Sequence, residues 1–175
     1  EKILIINQTD FEQEYSINEN IKIVCSKERG LSKSRNLAIK KSSADFLIIS
    51  DNDNEFDLKS VKAFIERAHN SKNAAYIIND QKKLFHQWAH KKLNYRDIMR
   101  IASWQIILNK KFLQENCIKF DENFGLGSKY NHGEENILLS DILRAKGEII
   151  ATGVSGVMHP DLGTGYHFNS DLIKT

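Results

Sequence analysis

The stretch that decides how this chain is read is FLIISDNDNEF, Phe46–Phe56. Its first five residues, Phe46 to Ser50, have the apolar character of a buried strand. Asp51, Asn52, Asp53 and Asn54 follow at once. In open α/β sheets, ligands bind beyond the carboxyl ends of the strands. Two carboxylates one residue apart in a turn can both face one divalent cation, and neighbouring amides can complete an oxygen shell. That chemistry suits Mg²⁺ and Mn²⁺, which usually share it with substrate phosphates. The same run also reads as a polar turn whose Asp and Asn side chains bond local backbone. On these residues alone the two readings stand level.

Outward from this run, strand and helix patterns alternate. KILIIN and IKIVCS are short Ile- and Val-rich runs with the character of buried strands. After Arg29 and Gly30, the segment LSKSRNLAIKKSSA predicts a helix capped by Ser32, with Leu37, Ala38 and Ile39 toward the sheet. DLKSVKAFIERAHN predicts an amphipathic helix presenting Val61, Phe64 and Ile65. NAAYIIND reads as a strand, and the segment from Lys82 to Trp104 as irregular or short helical structure. SWQIILNKKFLQEN reads as a strand entering a short helix, and FDENFGLGSKYNHG as a loop. EENILLSDILRAKG is a helix closed by Gly147, and EIIATGVSGVMHP a final strand. This alternation predicts an α/β fold, a single domain with a mainly parallel central sheet flanked by helices.

Composition narrows the function. At 175 residues and 41% hydrophobic, the chain is long enough for one domain with a core. Charged residues make up 27% and the formal net charge is +2, a balance that argues against a dedicated nucleic-acid binder. Cys25 and Cys117 match no metal spacing and read as free thiols of a reducing compartment. His86, His90 and His132 show no ligand spacing. No apolar run is long enough for a membrane span, and the N-terminal residues show no secretory signal.

The segment RGLSKSRNLAIKKSSADFLIISDND, taken whole, resembles the family 2 glycosyltransferases of the GT-A, Rossmann-like fold. In them a Gly-x-x-x-x-Arg-Asn helix start precedes an apolar strand ending in Asp-x-Asp; Gly30, Arg35 and Asn36, then Asp51 and Asp53, match. Downstream, FDENFGLGSKYNHGEENILLSDILRAKG resembles the acceptor-side segment of bacterial polysaccharide transferases. There a Phe-Asp-Glu-x-Phe-Gly run leads to a Gly-Glu-Asp or Gly-Glu-Glu helix start, here Gly133, Glu134 and Glu135. VMHPDLGTG is similar to the Val-x-His-Pro and Thr-Gly near the end of such domains, which gives Pro160, the single proline, a setting. ILIINQTD resembles the family's second strand rather than its first. The expectation is therefore a fragment of the catalytic domain, without the first strand and helix and without the C-terminal tail.

The resemblance implies metal-dependent, inverting transfer of a sugar from a nucleotide diphosphate sugar to an acceptor hydroxyl, with a UDP-sugar favoured. The acceptor is a glycan or a lipid-linked sugar in bacterial surface polysaccharide synthesis. The setting is the cytoplasm, with peripheral association at the inner face of the membrane. Mn²⁺ or Mg²⁺ is expected on Asp53 and Asp51, with His159 a further ligand, a phosphate contact or a structural residue. Arg35 either approaches the diphosphate, orients Asp51 or is a surface or capping arginine; Asp10 contacts the base or ribose. Glu135, with Glu134 beside it, aligns with the general base, although both also suit a first helical turn. Gly125 falls on the acceptor side. Trp104 and Trp88 stack on acceptor sugars, with a core role as the alternative for Trp104. Two other readings remain: a nucleotidyltransferase, which calls for a Gly-rich phosphate loop not seen here, and a nucleotide- or carbohydrate-binding remnant without turnover.

Overall fold

The computed structural model describes residues 2–51, 54–68, 71–82 and 87–158. Asp53, His86, His159 and Pro160 lie outside them.

The chain opens with β1 (Ile3–Gln8), β2 (Gln13–Ser16) and β3 (Ile21–Ser26), which form a three-stranded sheet in the order β1-β3-β2. β1 runs parallel to β3, and the polar strand β2 folds back antiparallel on its other side. The helix α1 (Leu31–Lys41) packs on β1. Register places Ile3, Ile5, Ile21, Ile23 and Tyr15 on one face of this sheet, where Ile3 remains 55% exposed. Val24, on the other face, is buried.

A second sheet carries the core. Its strands are β4 (Phe46–Ile48), β5 (Glu55–Phe56), β6 (Ala75–Asp80), β7 (Lys91–Lys92), β8 (Ile106–Asn109) and β9 (Ile149–Met158), in the order β4-β8-β6-β9-β5, with β7 also paired to β9. β6 lies at the centre, and all six of its residues are buried. Its side chains alternate between two apolar layers, as period-2 geometry requires. Ala75 and Ile77 join Ile106, Leu108, Leu138, Leu139 and Ile142 on one face. Tyr76 and Ile78 join Ile107, Val61 and Val157 on the other, with Phe64 and Ile65 packed beside them. The first layer is closed by α5 (Glu134–Arg144) and α4 (Lys110–Glu115), the second by α2 (Leu58–Ala68). Each fully buried Ile or Leu contributes on the order of 1.5–3 kcal/mol, so this double layer dominates the stability.

Three expectations need correction. The sheets are mixed rather than mainly parallel: among the described residues only β1–β3 and β6–β9 pair in parallel, and the other ladders are antiparallel. The cause lies in the connection from β6 to β8. It contains β7, the one-turn helix α3 (Tyr95–Ile98) and a 3₁₀ turn at Ser103–Gln105, not a crossover helix, so β8 returns against β6. β4 is consequently an edge strand of its sheet. Ser32 does not cap α1. Gly30 holds that position at φ 122, and Ser32 sits buried within the helix. Nor does Gly147 provide the left-handed residue after α5, a conformation taken by Lys146 at φ 61.

Gly147 is required for space. A Cβ there would lie 2.6 Å from Phe112 Cζ, 2.8 Å from Ala74 Cβ and 2.8 Å from Ile142 Cγ2. Gly147→Ala should therefore lower the midpoint of urea unfolding by an amount equivalent to about 1–3 kcal/mol, the cost of overpacking a core. An unchanged midpoint would show that the helix end shifts freely.

Candidate active site

Antiparallel pairing of β4 to β8 and of β8 to β6, with β6 parallel to β9, makes β4, β6 and β9 run the same way. Their carboxyl ends share one edge. Asp51 follows β4 at this edge with its side chain 38% exposed. The fully buried Asp80 ends β6 there, an acidic residue that motif reading did not single out.

Arg35, on the second turn of α1, is only 6% exposed. Its Nη1 donates to Glu134 Oε1 at 2.8 Å, its Nη2 stands 3.5 Å from Asp51 Oδ1, and its Cζ lies 5.5 Å from the centre of the Phe120 ring. Three segments far apart in sequence thus converge on one guanidinium. Glu134 is the first residue of α5, after Gly133 at φ 97, and is itself buried.

The loop before α5 is fastened to α1. Ser32 Oγ donates to the Phe124 carbonyl at 2.6 Å, and Leu31 N donates to the Leu126 carbonyl at 2.9 Å. Asn36 accepts from Phe120 N at 2.9 Å and donates to Phe120 O at 3.0 Å. Gly125 adopts φ 98 where a Cβ would come within 3.1 Å of Ser32 Oγ and 3.4 Å of Glu134 Cδ. It therefore forms a wall of the Glu134 pocket as well as a turn. Sequence reading gave Ser32 a capping role and set Phe120 at the head of the Phe-Asp-Glu-x-Phe-Gly run, but not their part in the Arg35 pocket, because a buried serine bonding across ninety-two positions leaves no local signature.

Glu135, half-buried beside Glu134, has its carboxyl pushed up to about 7, chiefly by burial and then by the negative charge of Glu134, with Arg35 opposing. Consecutive residues at a helix start point about a hundred degrees apart, so Glu135 does not share the Arg35 grip. A carboxylate near neutrality exchanges a proton readily at physiological pH.

Other expected residues are placed differently. Asp10 lies past β1 and pairs with Arg29, its carboxylate 2.6 Å from Arg29 Nη2 and almost fully exposed. Trp88 is buried at 4% exposure, with Asn79 accepting from its backbone N and donating to its carbonyl and with Lys91 Nζ 5.1 Å from its ring centre. A ring so enclosed cannot stack on a sugar, which corrects that expectation. Trp104 is half-buried against the apolar layer under α2.

Among the described residues, no group of three or more His, Cys, Asp or Glu side chains is arranged to hold a metal. The oxygen chemistry beside β4 nonetheless suits a hard cation. Asp51 is partly open, and both polar atoms of the Asn54 side chain are buried without a hydrogen-bond partner among the described residues.

The elevated carboxyl of Glu135 has a consequence for stability. Its folded value of about 7 exceeds its ordinary 4.5, so folding favours the protonated form. Stability from this group is fully present below about 4.5 and is lost as pH rises through about 7. Glu135→Gln, neutral at every pH, should therefore lose less stability than the parent between about pH 5 and about pH 8. Urea unfolding at the two pH values measures this, and identical losses would mean the carboxyl is not elevated.

No curated protein sequence matches the chain. Among solved structures it is similar to S. aureus TarS 1-349, with TM-score 0.64 and 16% identity over 90% of this chain and 50% of that one. The complex of TarS 1-349 with UDP-GlcNAc gives TM-score 0.66 and 16% identity over 90% and 48% of the two chains. The chain thus spans about half the length of the structures it matches, and at this identity the likeness establishes the fold, which is GT-A. The model of the family described as Glycosyl transferase family 2 matches residues 9–116, more than half of the sequence, and the chain accordingly belongs to the family 2 glycosyltransferases.

Proposed function

We propose that this chain transfers a sugar, with inversion, from a nucleoside diphosphate sugar to a hydroxyl of a glycan or lipid-linked acceptor. The observation that carries the reading is the placement of a half-buried carboxyl titrating near neutrality, Glu135, on the helix whose first residue is tied through Arg35 to Asp51. The proposed diphosphate site and the proposed proton acceptor thus belong to segments that Arg35 ties together, which supports the reading. TarS structures hold UDP and UDP-GlcNAc, which favours a UDP-sugar as donor here.

Asp53 and Asp51 would hold Mn²⁺ or Mg²⁺, with the Asn54 amide oxygen and His159 as further donors. When bound, the cation neutralises charge on the departing diphosphate. Glu135 accepts the acceptor's hydroxyl proton as that oxygen bonds to the anomeric carbon. The carbon's bond to the diphosphate oxygen breaks, and its electron pair leaves with the nucleoside diphosphate. Attack opposite the leaving group inverts the anomeric centre. A carboxylate of ordinary acidity is a poor base at neutral pH; one raised to about 7 is better matched to the task. Gly125 and Trp104 would border the acceptor, and Asp10 would reach the base or ribose once released from Arg29. Surface polysaccharide synthesis at the inner face of a bacterial membrane fits this chemistry, with peripheral attachment. Among the described residues no helix is long and apolar enough to cross a bilayer. Residues 1–175 would then belong to a single GT-A catalytic domain.

Release of nucleoside diphosphate from a panel of nucleotide sugars by the full-length protein, with and without Mn²⁺, tests the reading. A UDP-sugar should turn over only with metal. Asp53→Ala should abolish the gain in donor affinity that Mn²⁺ confers, measured by calorimetry, and a mutant that keeps the gain would remove Asp53 from the metal site. Glu135→Gln should leave donor affinity nearly intact and lower turnover by roughly a hundredfold or more, the usual scale for loss of a general base. Full activity of both Glu135→Gln and Glu134→Gln would make this segment purely structural.

A further inference from the structure

The guanidinium of Arg35 and its partners carry an inference beyond the roles above, resting on the proposed glycosyl transfer. We propose that Arg35 is a positioning residue, not a ligand of the donor: it takes Glu134 as its permanent counter-ion, spans to Asp51, and so leaves Glu135 as the one carboxylate of the pair open to a substrate proton.

Geometry supports this. Arg35 is 6% exposed and so is Glu134, and the pair bond at 2.8 Å within a pocket walled by Phe120 and Gly125. A buried guanidinium already satisfied by a buried carboxylate has little surface to offer a diphosphate. Its second amino group faces Asp51 at 3.5 Å. A planar fork presents separate nitrogens to two carboxylates in different directions, whereas a lysine offers both a single point charge. The loop that delivers Glu134 is fastened to α1 beside Arg35 through Ser32, Leu31 and Asn36. The helix start is therefore held in one rotation, with Glu134 turned onto Arg35 and Glu135 half-buried beside it. The charged groups acting on Glu135 are Glu134 from its own helix and Arg35 from α1, with Asp51 across the guanidinium.

The test uses Arg35→Met, Arg35→Lys, Glu134→Gln and the Arg35→Met/Glu134→Gln double variant of the full-length protein. Donor affinity is measured by calorimetry, turnover as a function of pH, and Glu135 titration by carbon NMR of labelled carboxyls without donor. Arg35→Met should lower kcat at least tenfold while changing donor affinity less than threefold. It should also raise the Glu135 midpoint and move the acid limb of the rate profile to higher pH. Glu134→Gln should move both to lower pH. The double variant, which removes both buried charges together, should recover at least part of the kcat lost in Arg35→Met, and Arg35→Lys should fall between Arg35→Met and the parent. A tenfold or greater loss of donor affinity in Arg35→Met or Arg35→Lys, or a double variant no better than Arg35→Met, would overturn the proposal. If Arg35→Met does not fold, Arg35→Lys decides it through donor affinity and Glu134→Gln through the direction in which the Glu135 midpoint moves. If the parent transfers no sugar, the glycosyl-transfer reading fails separately. The NMR titration then decides the positioning claim, and unmoved Glu135 midpoints in the variants would refute it.

Discussion

A guanidinium that is nearly removed from water has to be paired, because an isolated buried charge is among the costliest features a fold can contain. Arg35 is that feature here, and its pairing with Glu134 and Asp51 ties the second turn of α1 to the end of β4 and the start of α5. Removing one partner of a buried pair commonly costs about 3–5 kcal/mol. The elements that carry the two ends of the site are therefore bound to each other more firmly than surface loops are. The glycines around them follow from the same constraint. Gly125 exists as glycine because the acid and Ser32 occupy the space of its side chain, and Gly133 because the chain must enter α5 at a positive φ.

Local pattern made most of the elements legible. The unbroken apolar run of β6, the helical period of α2 and the strand-then-helix character of β8 and α4 are present where residue types and spacing place them. What pattern does not encode is direction. A short strand reached through irregular chain carries the same residues whichever way it runs, so the antiparallel insertion of β8 was invisible. The strand β2, QEYS, has no apolar face to betray it; all four residues are exposed. Ser32 illustrates a competing demand: a serine near a helix start is a natural cap, but its hydroxyl is drawn to the Phe124 carbonyl while glycine takes the capping position.

The site was legible in part for a related reason. The Asp-x-Asp turn, the Arg-Asn pair and the two glutamates stand out as motifs, and Arg35, Asp51 and Glu134 do converge. Their division of labour was not legible, because it depends on burial. Glu134 and Glu135 are the same residue type one position apart, and only the packing around Arg35 distinguishes a sequestered counter-ion from an elevated carboxyl. Trp88 likewise looked like a stacking platform in sequence, whereas Asn79 fastens its backbone into the core. Asn36 belonged to a motif, and its use, gripping both backbone polar groups of Phe120, appears only when residues eighty-four positions apart are seen in contact.

That separation also sets an order of events during folding. The Arg35–Glu134 contact closes a loop of ninety-nine residues, and contacts of large sequence separation bear an entropic cost before they return any stability. The β1-β3-β2 sheet and the short helices need no such closure and form from neighbouring chain, whereas β9 reaches β5 and β6 only across comparable separations, Glu55 lying opposite Met158. In a partly folded chain with α5 undocked, both charges remain hydrated and nothing compels them to meet. Desolvation and pairing arrive together, as one step, when α5 settles over the sheet. The acid pair is thus differentiated only with long-range closure, and a chain holding just its local β1-β3-β2 sheet and short helices would still carry two equivalent, ordinary glutamates.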